Sequence, residues 1–338
     1  MQKPLRIATF NLENLDDCPG KSPSIDDRIA VLRPQLLRLE ADILCLQEVN
    51  AQSSAKGHAR EMRALDRLLK GTPYAGFYRA LTQGRHHPGP ADVHNLVILS
   101  RAPITAHGQV WHDLVPPPLY RPVTAAPPAE AETPVEWDRP ILHAEVRLEN
   151  EEGNPGPILH VINLHLRAPL ASFIPGQKVD AFTWKSVSAW AEGFFLAAIK
   201  RNGQALEARM LIDRLFDQDP KALVVVTGDF NADMREAPIR AILGEEEDSG
   251  NGDLAARSMV AVERSLPKQQ RFSVLHHGRQ VMLDHILVSK QLMGFYRHVE
   301  IHNEALEDEL VAFATVSRSP ESFHAPVVAQ FDFGGSAG

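Results

Sequence analysis

The sequence has little cysteine, no long apolar run and no excess of basic residues. Its two cysteines, Cys18 and Cys45, lack metal-ligand spacing, which excludes a cysteine zinc site and a disulfide framework. No segment approaches the apolar length of a membrane helix, and the N-terminus, MQKPLRIATFNLEN, has no signal-peptide core. We therefore expect a cytoplasmic protein without a membrane span, and the sequence indicates no protein partner.

The charge balance narrows the class of partner. The net charge is −8, from 35 basic and 43 acidic residues. A protein that binds along duplex DNA normally carries a basic face, so that class is disfavoured, although a local basic cleft is compatible with the total. The excess of acidic residues also fits a site that concentrates divalent cations.

One short stretch, VVVTGDFNAD at 224–233, begins as an apolar run typical of a buried strand and ends in polar residues. Strand alternation places Asp229 and Asn231 on one side of the chain and sends Phe230 to the other. Two polar groups aimed together at a strand end suggest a site. A strand followed by an Asx turn would give the same letters, so the stretch alone leaves both interpretations open.

Strand-like and helix-like segments alternate along the chain, which predicts mixed sheets. A helix is predicted over 26–41, with Pro34 kinking or delaying it, and another over 59–71. A long helical region over 184–217 is expected to break at Asn202-Gly203. We treat 1–338 as a single domain with loop insertions near 115–134 and 167–184, and the acidic stretch 244–253 as a solvated loop.

Several predicted strands begin or end in a polar residue. Any one of these tips has a structural explanation, such as a turn or a buried histidine, but six in one chain favour a shared site. Glutamate and asparagine oxygens suit Mg²⁺ or Mn²⁺ better than zinc. No candidate nucleophile sits beside a base, and no Walker loop is present, so metal-activated water is the expected nucleophile and phosphate esters are the expected substrates. The tips are Asn11, Glu48, His165, Asp229 with Asn231, Asp284 with His285, and His324.

These tips, in this order, resemble the endonuclease/exonuclease/phosphatase superfamily. The resemblance runs from Asn11 to about Phe333 and rests on FNLEN, LQEV, NLHL, GDFNAD, LDHILVS and SFHAPV. It implies a four-layer α/β/β/α sandwich, in which two mixed β-sheets pack face to face with helices outside. It also implies a metal-dependent phosphoesterase.

The resemblance implies a role for each residue. Asn11 and Glu48 would sit at the metal, with Glu48 the principal ligand. His165 and Asn231 would bind the scissile phosphate, and Asp229 would orient or deprotonate the attacking water. Asp284 would hold the tautomer of His324, and the choice of base between Asp229 and His324 stays open. Substrate-binding candidates are Arg139, as a phosphate contact, and Asn95, chiefly structural with a minor phosphate role.

One motif departs from the family pattern. Where the family usually ends Ser-Asp-His, this chain has Ser322-Phe323-His324. Phe323 cannot coordinate a metal, so we expect weaker metal affinity or recruitment of another acid. If Phe323 is instead a core residue, the alignment says nothing about the metal.

The sequence thus predicts a metal-dependent hydrolase of phosphate esters, a phosphodiesterase or nuclease. Its substrate would be a small phosphodiester, a lipid headgroup or a nucleic acid end. The alternative is a catalytically impaired binding or scaffold protein of the same fold, which Phe323 alone suggests.

Overall fold

The computed structural model describes residues 4–18, 20, 22–53, 60–85, 89–149, 154–309 and 319–334. The helices of these residues are α1 (Ile25–Leu39), α2 (Arg63–Leu69), α3 (Val187–Gln218), α4 (Ala237–Leu243), α5 (Glu246–Ser249) and α6 (Lys290–Met293). The strands are β1 (Leu5–Leu15), β2 (Ile43–Val49), β3 (Tyr78–Leu81), β4 (Asn95–Ser100), β5 (Ile104–Val110), β6 (Leu119–Tyr120), β7 (Thr133–Pro134), β8 (Ile141–Glu149), β9 (Pro155–His165), β10 (Leu223–Asp229), β11 (Met259–Ala261), β12 (Val274–His276), β13 (Arg279–Val281), β14 (Asp284–Ser289), β15 (Tyr296–Ile301) and β16 (Val327–Phe331).

Two six-stranded sheets form the centre of the molecule. The first sheet has the order β15-β16-β1-β2-β4-β3, and the second has the order β11-β14-β10-β9-β8-β5. Each sheet is mixed, because one parallel pair, β1 with β2 or β9 with β10, lies among antiparallel neighbours. One apolar core lies between the sheets, a second lies under α1 and α2, and a third lies under α3 and α4. The predicted α/β/β/α sandwich is confirmed.

The central strands are apolar on both faces because both faces are covered. In β10, Val225 packs between the sheets, whereas Val224 and Val226 pack under the helices. Strand alternation therefore divides one apolar run between two cores. The two parallel pairs bring four strand ends to the same end of the sandwich, which is where the polar tips lie.

Pro34 lies inside helix α1 without ending it. The helix begins at a capping box, in which the Ser24 hydroxyl accepts from the Asp27 amide while the Asp27 carboxylate accepts from the Ser24 amide. It runs unbroken to Leu39, so the predicted delay does not occur. Helix α2 begins at Arg63, and residue 59 of the predicted segment 59–71 lies outside the described part of the chain.

The predicted break at Asn202-Gly203 is wrong, because α3 is continuous through both residues. Gly203 is there for packing. A Cβ on Gly203 would lie 2.6 Å from Cζ3 of the Trp137 ring, so only glycine lets the helix approach that ring. The Trp137 indole is buried and donates to Glu207 Oε2 of the same helix at 2.8 Å.

The acidic stretch 244–253 is also more ordered than expected, since it contains α5 and begins a 3₁₀ turn at Gly252–Arg257. The insertion 115–134 carries the small sheet of β6 and β7. No helix in the described ranges has the length and apolar character needed to cross a membrane.

We predict that Gly203→Ala destabilises the protein, although alanine is the better helix former. The added methyl group must displace the buried Trp137 ring, which we expect to lower the free energy of unfolding by about 1–3 kcal/mol. The neighbouring exposed Asn202→Ala is the control and should stay within about 0.5 kcal/mol of wild type. Urea unfolding of both variants tests this, and a Gly203→Ala protein as stable as wild type would contradict it.

Candidate active site

Strand register places Asp229 at the centre of the polar tips. Asp229 of β10 lies opposite His165 of β9 on one side and opposite Asp284 of β14 on the other. Directly opposed residues in a sheet share a face. The Asp229 carboxylate oxygen Oδ2 lies 3.2 Å from His165 Nε2 and 4.0 Å from His324 Nε2. The second sheet therefore brings His165, Asp229 and Asp284 to one point, and His324, from the segment before β16, joins them there.

A β-bulge positions Glu48 from the first sheet. The pairing of β2 with β4 shifts register between Leu46 and Val49, and Glu48 has a φ of 57°. Bulges re-aim side chains at strand ends. The Glu48 carboxylate accepts from the Asn14 amide at 3.0 Å through Oε2, while Oε1 lies 3.7 Å from His165 Nε2. The two sheets thus meet at this carboxylate.

Asn11 links the carboxylates of the two sheets. Its Nδ2 donates to Glu48 Oε1 at 3.2 Å and to Asp229 Oδ2 at 3.0 Å, and its Oδ1 accepts from the Glu13 amide at 2.8 Å. The side chain is fully buried. In this arrangement the Asn11 amide nitrogen faces the carboxylates, so direct metal ligation through its oxygen stays a prediction.

A buried polar network lies below the site, between the sheets. The Asn163 amide donates to the carbonyls of Leu46 and Val97 at 3.1 and 3.0 Å. Leu46 of β2 and Val97 of β4 are paired where the bulge begins. Its Oδ1 accepts from Gln47 Nε2 at 2.8 Å, and Gln47 also contacts Thr9 of β1. The Asn163 side chain, from the second sheet, therefore hydrogen-bonds main-chain carbonyls of the first sheet beside Glu48.

Asp284 and His324 form a hydrogen-bonded pair. His324 Nδ1 lies 2.8 Å from Asp284 Oδ2, and the Asp284 carboxylate is buried. Burial opposes the charged imidazolium, but the carboxylates of Asp284 and Asp229 outweigh it and raise the pKa of His324 to about 10. Burial raises the pKa of the Asp229 carboxyl to about 7. A proton is therefore held on His324 at neutral pH, and Asp229 titrates close to neutrality.

His165 is uncharged in this setting. Burial, with nearby Arg139, lowers the pKa of His165 well below its ordinary value. Its ring is nine-tenths or more buried, and Nδ1 has no hydrogen-bond partner among the described residues. A neutral imidazole beside two carboxylates can serve as a ligand or as a hydrogen-bond donor to a bound anion.

Arg139 is a buried cation that forms no ion pair within the described ranges. Its guanidinium feels the charges of Glu48 and Asp229, which places it beside the same cluster. One terminal nitrogen, NH1, is buried and has no hydrogen-bond partner in the described part of the chain. Burying a guanidinium without a partner is costly, so this nitrogen is suited to a bound anion.

Other predicted residues have structural contacts. Asn231 donates to the Leu166 carbonyl at 3.0 Å, and the Asp229 carboxylate accepts from its main-chain amide at 2.8 Å, so Asn231 holds Asp229. Asn95 is a correction. Its amide is taken up by the main chain of Val49 and Ala91, at 2.8–2.9 Å, which leaves no group for phosphate.

His285 points away from the cluster into the core. Its Nε2 bonds the Ala232 carbonyl at 2.9 Å, and its Nδ1 bonds the Glu263 carboxylate. Burial opposes the charged ring, but the Glu263 carboxylate and the Ala232 carbonyl raise the pKa of His285 above its ordinary value. The contact with Ala232 ties the loop that follows Asp229 to β14.

Sequence reasoning missed Glu13 and His94. The Glu13 carboxylate accepts from the Phe323 amide at 2.8 Å, and burial raises its pKa while the Phe323 contact opposes this. His94 Nδ1 lies 3.8 Å from Glu48 Oε2. Glu13 stands two positions after Asn11, and alternation from that residue was the available signal. His94 had none, because its position depends on β4 pairing beside the bulge.

The cluster fits a divalent cation. Ligand atoms of Glu48, His165 and Asp229 all lie within 4.8 Å of one another, and so do those of Asp229, Asp284 and His324. The first group is the better candidate, because Asp284 is already bonded to His324. Buried carboxylates beside a neutral imidazole provide the oxygen-rich, negatively charged setting that Mg²⁺ and Mn²⁺ prefer.

Phe323 is a buried residue, with 6% of its surface exposed. Its amide nitrogen, and not its side chain, contacts the acid Glu13. The geometry therefore favours the packing role for the ring, and it places another acid beside the cluster.

We predict that Phe323→Asp destabilises the protein without tightening metal binding. The substitution buries a carboxylate near Glu13, and we expect the free energy of unfolding to fall by about 3 kcal/mol or more. Phe323→Leu, the size control, should lose less than about 1.5 kcal/mol. Metal-free unfolding and the half-saturating Mg²⁺ concentration are measured together. A lower half-saturating concentration at unchanged stability would show that residue 323 is a lost ligand position.

Solved structures with the same architecture share little sequence. An endonuclease/exonuclease/phosphatase from Bacteroides vulgatus is 17% identical, with a TM-score of 0.56 and coverage of 98% of this chain and 99% of that one. A mannosyl-6-phosphatase from Bacteroides thetaiotaomicron is 16% identical, with a TM-score of 0.55 and coverage of 97% and 100%. Truncated Caenorhabditis elegans TDP2 is 13% identical, with a TM-score of 0.54 and coverage of 97% of each chain. At these identities the likeness concerns the fold alone.

Comparison with curated protein sequences finds no match. The model of the Endonuclease/Exonuclease/phosphatase family, however, matches residues 8–305. This range contains Asn11, Glu48, His165, Asp229 and Asp284, and it covers most of the sequence. The chain therefore belongs to the endonuclease/exonuclease/phosphatase family.

Proposed function

We propose that this chain is a phosphodiesterase or nuclease-like hydrolase that acts with Mg²⁺ or Mn²⁺. The family consists of divalent-metal-dependent phosphoesterases, which makes phosphate-ester hydrolysis the general expectation. The carboxylates of Glu48 and Asp229 lie close to the imidazole of His165, which supports an enzyme over the alternative of an impaired binding or scaffold protein.

Arg139 is the observation that carries the proposal. A guanidinium that is buried beside carboxylates, yet pairs with none in the described residues, is held ready for an anionic ligand. A phosphate group fits the planar donor geometry of arginine. With Arg139 on the phosphate, Asp229 and His324, which lie 4.0 Å apart, would flank the reacting bonds.

Glu48 and Asp229, with Asn11 and His165 beside them, would hold the metal. When bound, a divalent ion lowers the pKa of a water molecule and neutralises charge on a phosphate oxygen. The closeness of the Glu48 and Asp229 carboxylates supports this assignment, because a bound cation would offset the repulsion between them.

Asp229 is the better candidate for the base, and His324 for the acid. His324 lies between the carboxylates of Asp284 and Asp229, so it keeps its proton at neutral pH. The Asp229 carboxylate, beside the proposed metal and its water, would accept one. In the proposed step, a water oxygen bonds to phosphorus as the bond to the leaving oxygen breaks. Asp229 takes the proton from water, and His324 supplies a proton to the leaving oxygen.

The substrate class is a further part of the proposal. A small phosphodiester, a lipid headgroup or a nucleic acid end suits a chain of net charge −8 better than duplex DNA does. Hydrolysis of bis-p-nitrophenyl phosphate, its monoester counterpart and plasmid DNA, each with Mg²⁺ and with Mn²⁺, separates these possibilities. Absence of all three activities would favour a binding protein.

We predict that activity requires a divalent cation and that Glu48→Gln abolishes it. Glutamine keeps the acceptor for the Asn14 amide but removes the charge, so we expect kcat/KM to fall by about 100-fold or more with the fold intact. The exposed Glu130→Gln is the control. Full turnover in excess EDTA, or a Glu48→Gln enzyme with wild-type rate and metal affinity, would overturn the assignment.

We predict that His324→Ala and Asp284→Asn impair the same step. Asp284 acts only by holding His324, so the double variant should be little slower than His324→Ala, whose own loss should be about 10²–10⁴-fold in kcat. The measurement is a double-mutant cycle in kcat/KM. Fully multiplicative losses would mean that the two residues act independently.

A further inference from the structure

An exposed apolar surface lies on the segment that follows His165. We call it the apolar face and define it by six exposed side chains: Leu170, Phe173, Val179, Phe182, Val187 and Trp190. The Phe182 side chain is 92% exposed and that of Val187 is 79% exposed. A grouped apolar surface of this kind marks contact with another body, unlike single exposed apolar residues.

Hydrogen bonds fix the tip of this surface. The Val179 amide donates to the Thr183 carbonyl and the Lys185 amide donates to the Gln177 carbonyl, both at 2.9 Å, so 177–185 is a short hairpin. The Asp180 carboxylate closes the tip by accepting from the amides of Phe182 and Thr183, both at 2.8 Å. Phe182 therefore projects from a held turn.

The hairpin segment and helix α3 present one surface. The Ser172 amide donates to the Gly193 carbonyl at 2.8 Å, and a Cβ on Gly193 would lie 2.4 Å from the Ser172 oxygen. The segment therefore packs directly on the first turns of α3. There Trp190 stacks on Phe194, with ring centroids 5.5 Å apart, and continues the apolar face along the helix.

Positive charge borders the apolar face. Lys178 lies 4.6 Å from the centroid of the Trp184 ring, and the Lys185 ammonium donates to the Gly176 carbonyl, so both flank the hairpin. The other two basic residues of the segment 167–200, Arg167 and Lys200, are ion-paired with Asp138, so the positive charge at the hairpin is that of Lys178 and Lys185. The one acid there, Asp180, has its carboxylate bonded to main-chain amides, and the hairpin is locally basic in a chain whose net charge is −8.

We propose that the apolar face docks on the surface of an anionic lipid bilayer. Aromatic and branched apolar side chains enter the headgroup boundary, tryptophan sits well at that boundary, and lysines beside them attract anionic lipid. A projecting Phe182 needs no matching pocket in a bilayer. Docking of a second copy of the chain would need a complementary, closely packed surface. A projecting hairpin tip beside one side of a helix is not complementary to the same surface on another copy.

Helix α3 sets the distance between Val187 of this face and the catalytic cluster, whereas Leu170 follows His165 by five positions. Gln204 donates to the Arg139 carbonyl at 3.0 Å and lies in the same helix as Val187. At the helical rise per residue, these two positions are about 25 Å apart along the axis. The apolar face shares no residue with the proposed catalytic machinery, so docking and hydrolysis are separable.

Vesicle co-sedimentation of the full chain tests the proposal. The vesicles are phosphatidylcholine alone, or phosphatidylcholine with about one third phosphatidylglycerol. We expect wild type to pellet with the anionic vesicles, and less with neutral vesicles or in high salt. Phe182→Asp with Val179→Asp should lower the bound fraction about 10-fold. Leu37→Asp, at an exposed apolar site on α1, is the matched control and should bind as wild type does.

Two further measurements distinguish a loss of docking from a loss of folding or of catalysis. Melting temperatures and turnover of bis-p-nitrophenyl phosphate should be unchanged in the double variant, since its residues are exposed and outside the site. Vesicle binding can be measured even if no phosphoesterase activity is found. The result therefore tests membrane docking separately from the proposed hydrolase function. Wild type that pellets with neither vesicle, or a double variant that binds normally, would overturn docking. So would a concentration-dependent dimer that the double variant abolishes, because the face would then cover a second copy.

Discussion

The carboxamide of Asn163 is the contact on which the site geometry depends. It crosses from the second sheet and donates to the carbonyls of Leu46 and Val97, which are paired with each other where the bulge begins. Without it, the buried main chain that aims Glu48 would lose two hydrogen bonds. The two sheets are therefore fixed together directly below the point where their carboxylates meet.

The protonation states of the site residues follow from the packing of the two sheets against each other. Face-to-face sheets exclude water, so the Asp229 carboxyl resists ionisation and the imidazole of His165 resists protonation. His324 behaves in the opposite way because carboxylates lie on both sides of its ring. One fold thus gives two histidines opposite protonation states at close range, which is the division of roles that acid–base chemistry needs. Arg139 supplies the remaining positive charge.

The sequence predicted well what depends on strand ends and poorly what depends on tertiary contact. The polar strand tips were enough to nominate Asp229 with His165, Asp284 and His324 for one site, and the resemblance supplied the sandwich. The bulge at Glu48 has no local signature, so the position of His94 could not be foreseen. Gly203 was interpreted as a helix breaker because the Trp137 ring that requires it lies far away in sequence. Asn95 was given a chiefly structural role, which its main-chain contacts support, and those contacts take up the amide that the minor phosphate role would need.

Glu13 holds residue 323 through a main-chain amide. Every amino acid except proline carries that group, so this contact is indifferent to the side chain at position 323. A side chain at position 323 that fills the same buried space therefore leaves the carboxylate of Glu13 beside the cluster. The departure from the family motif at this position is then no sign that the site is impaired.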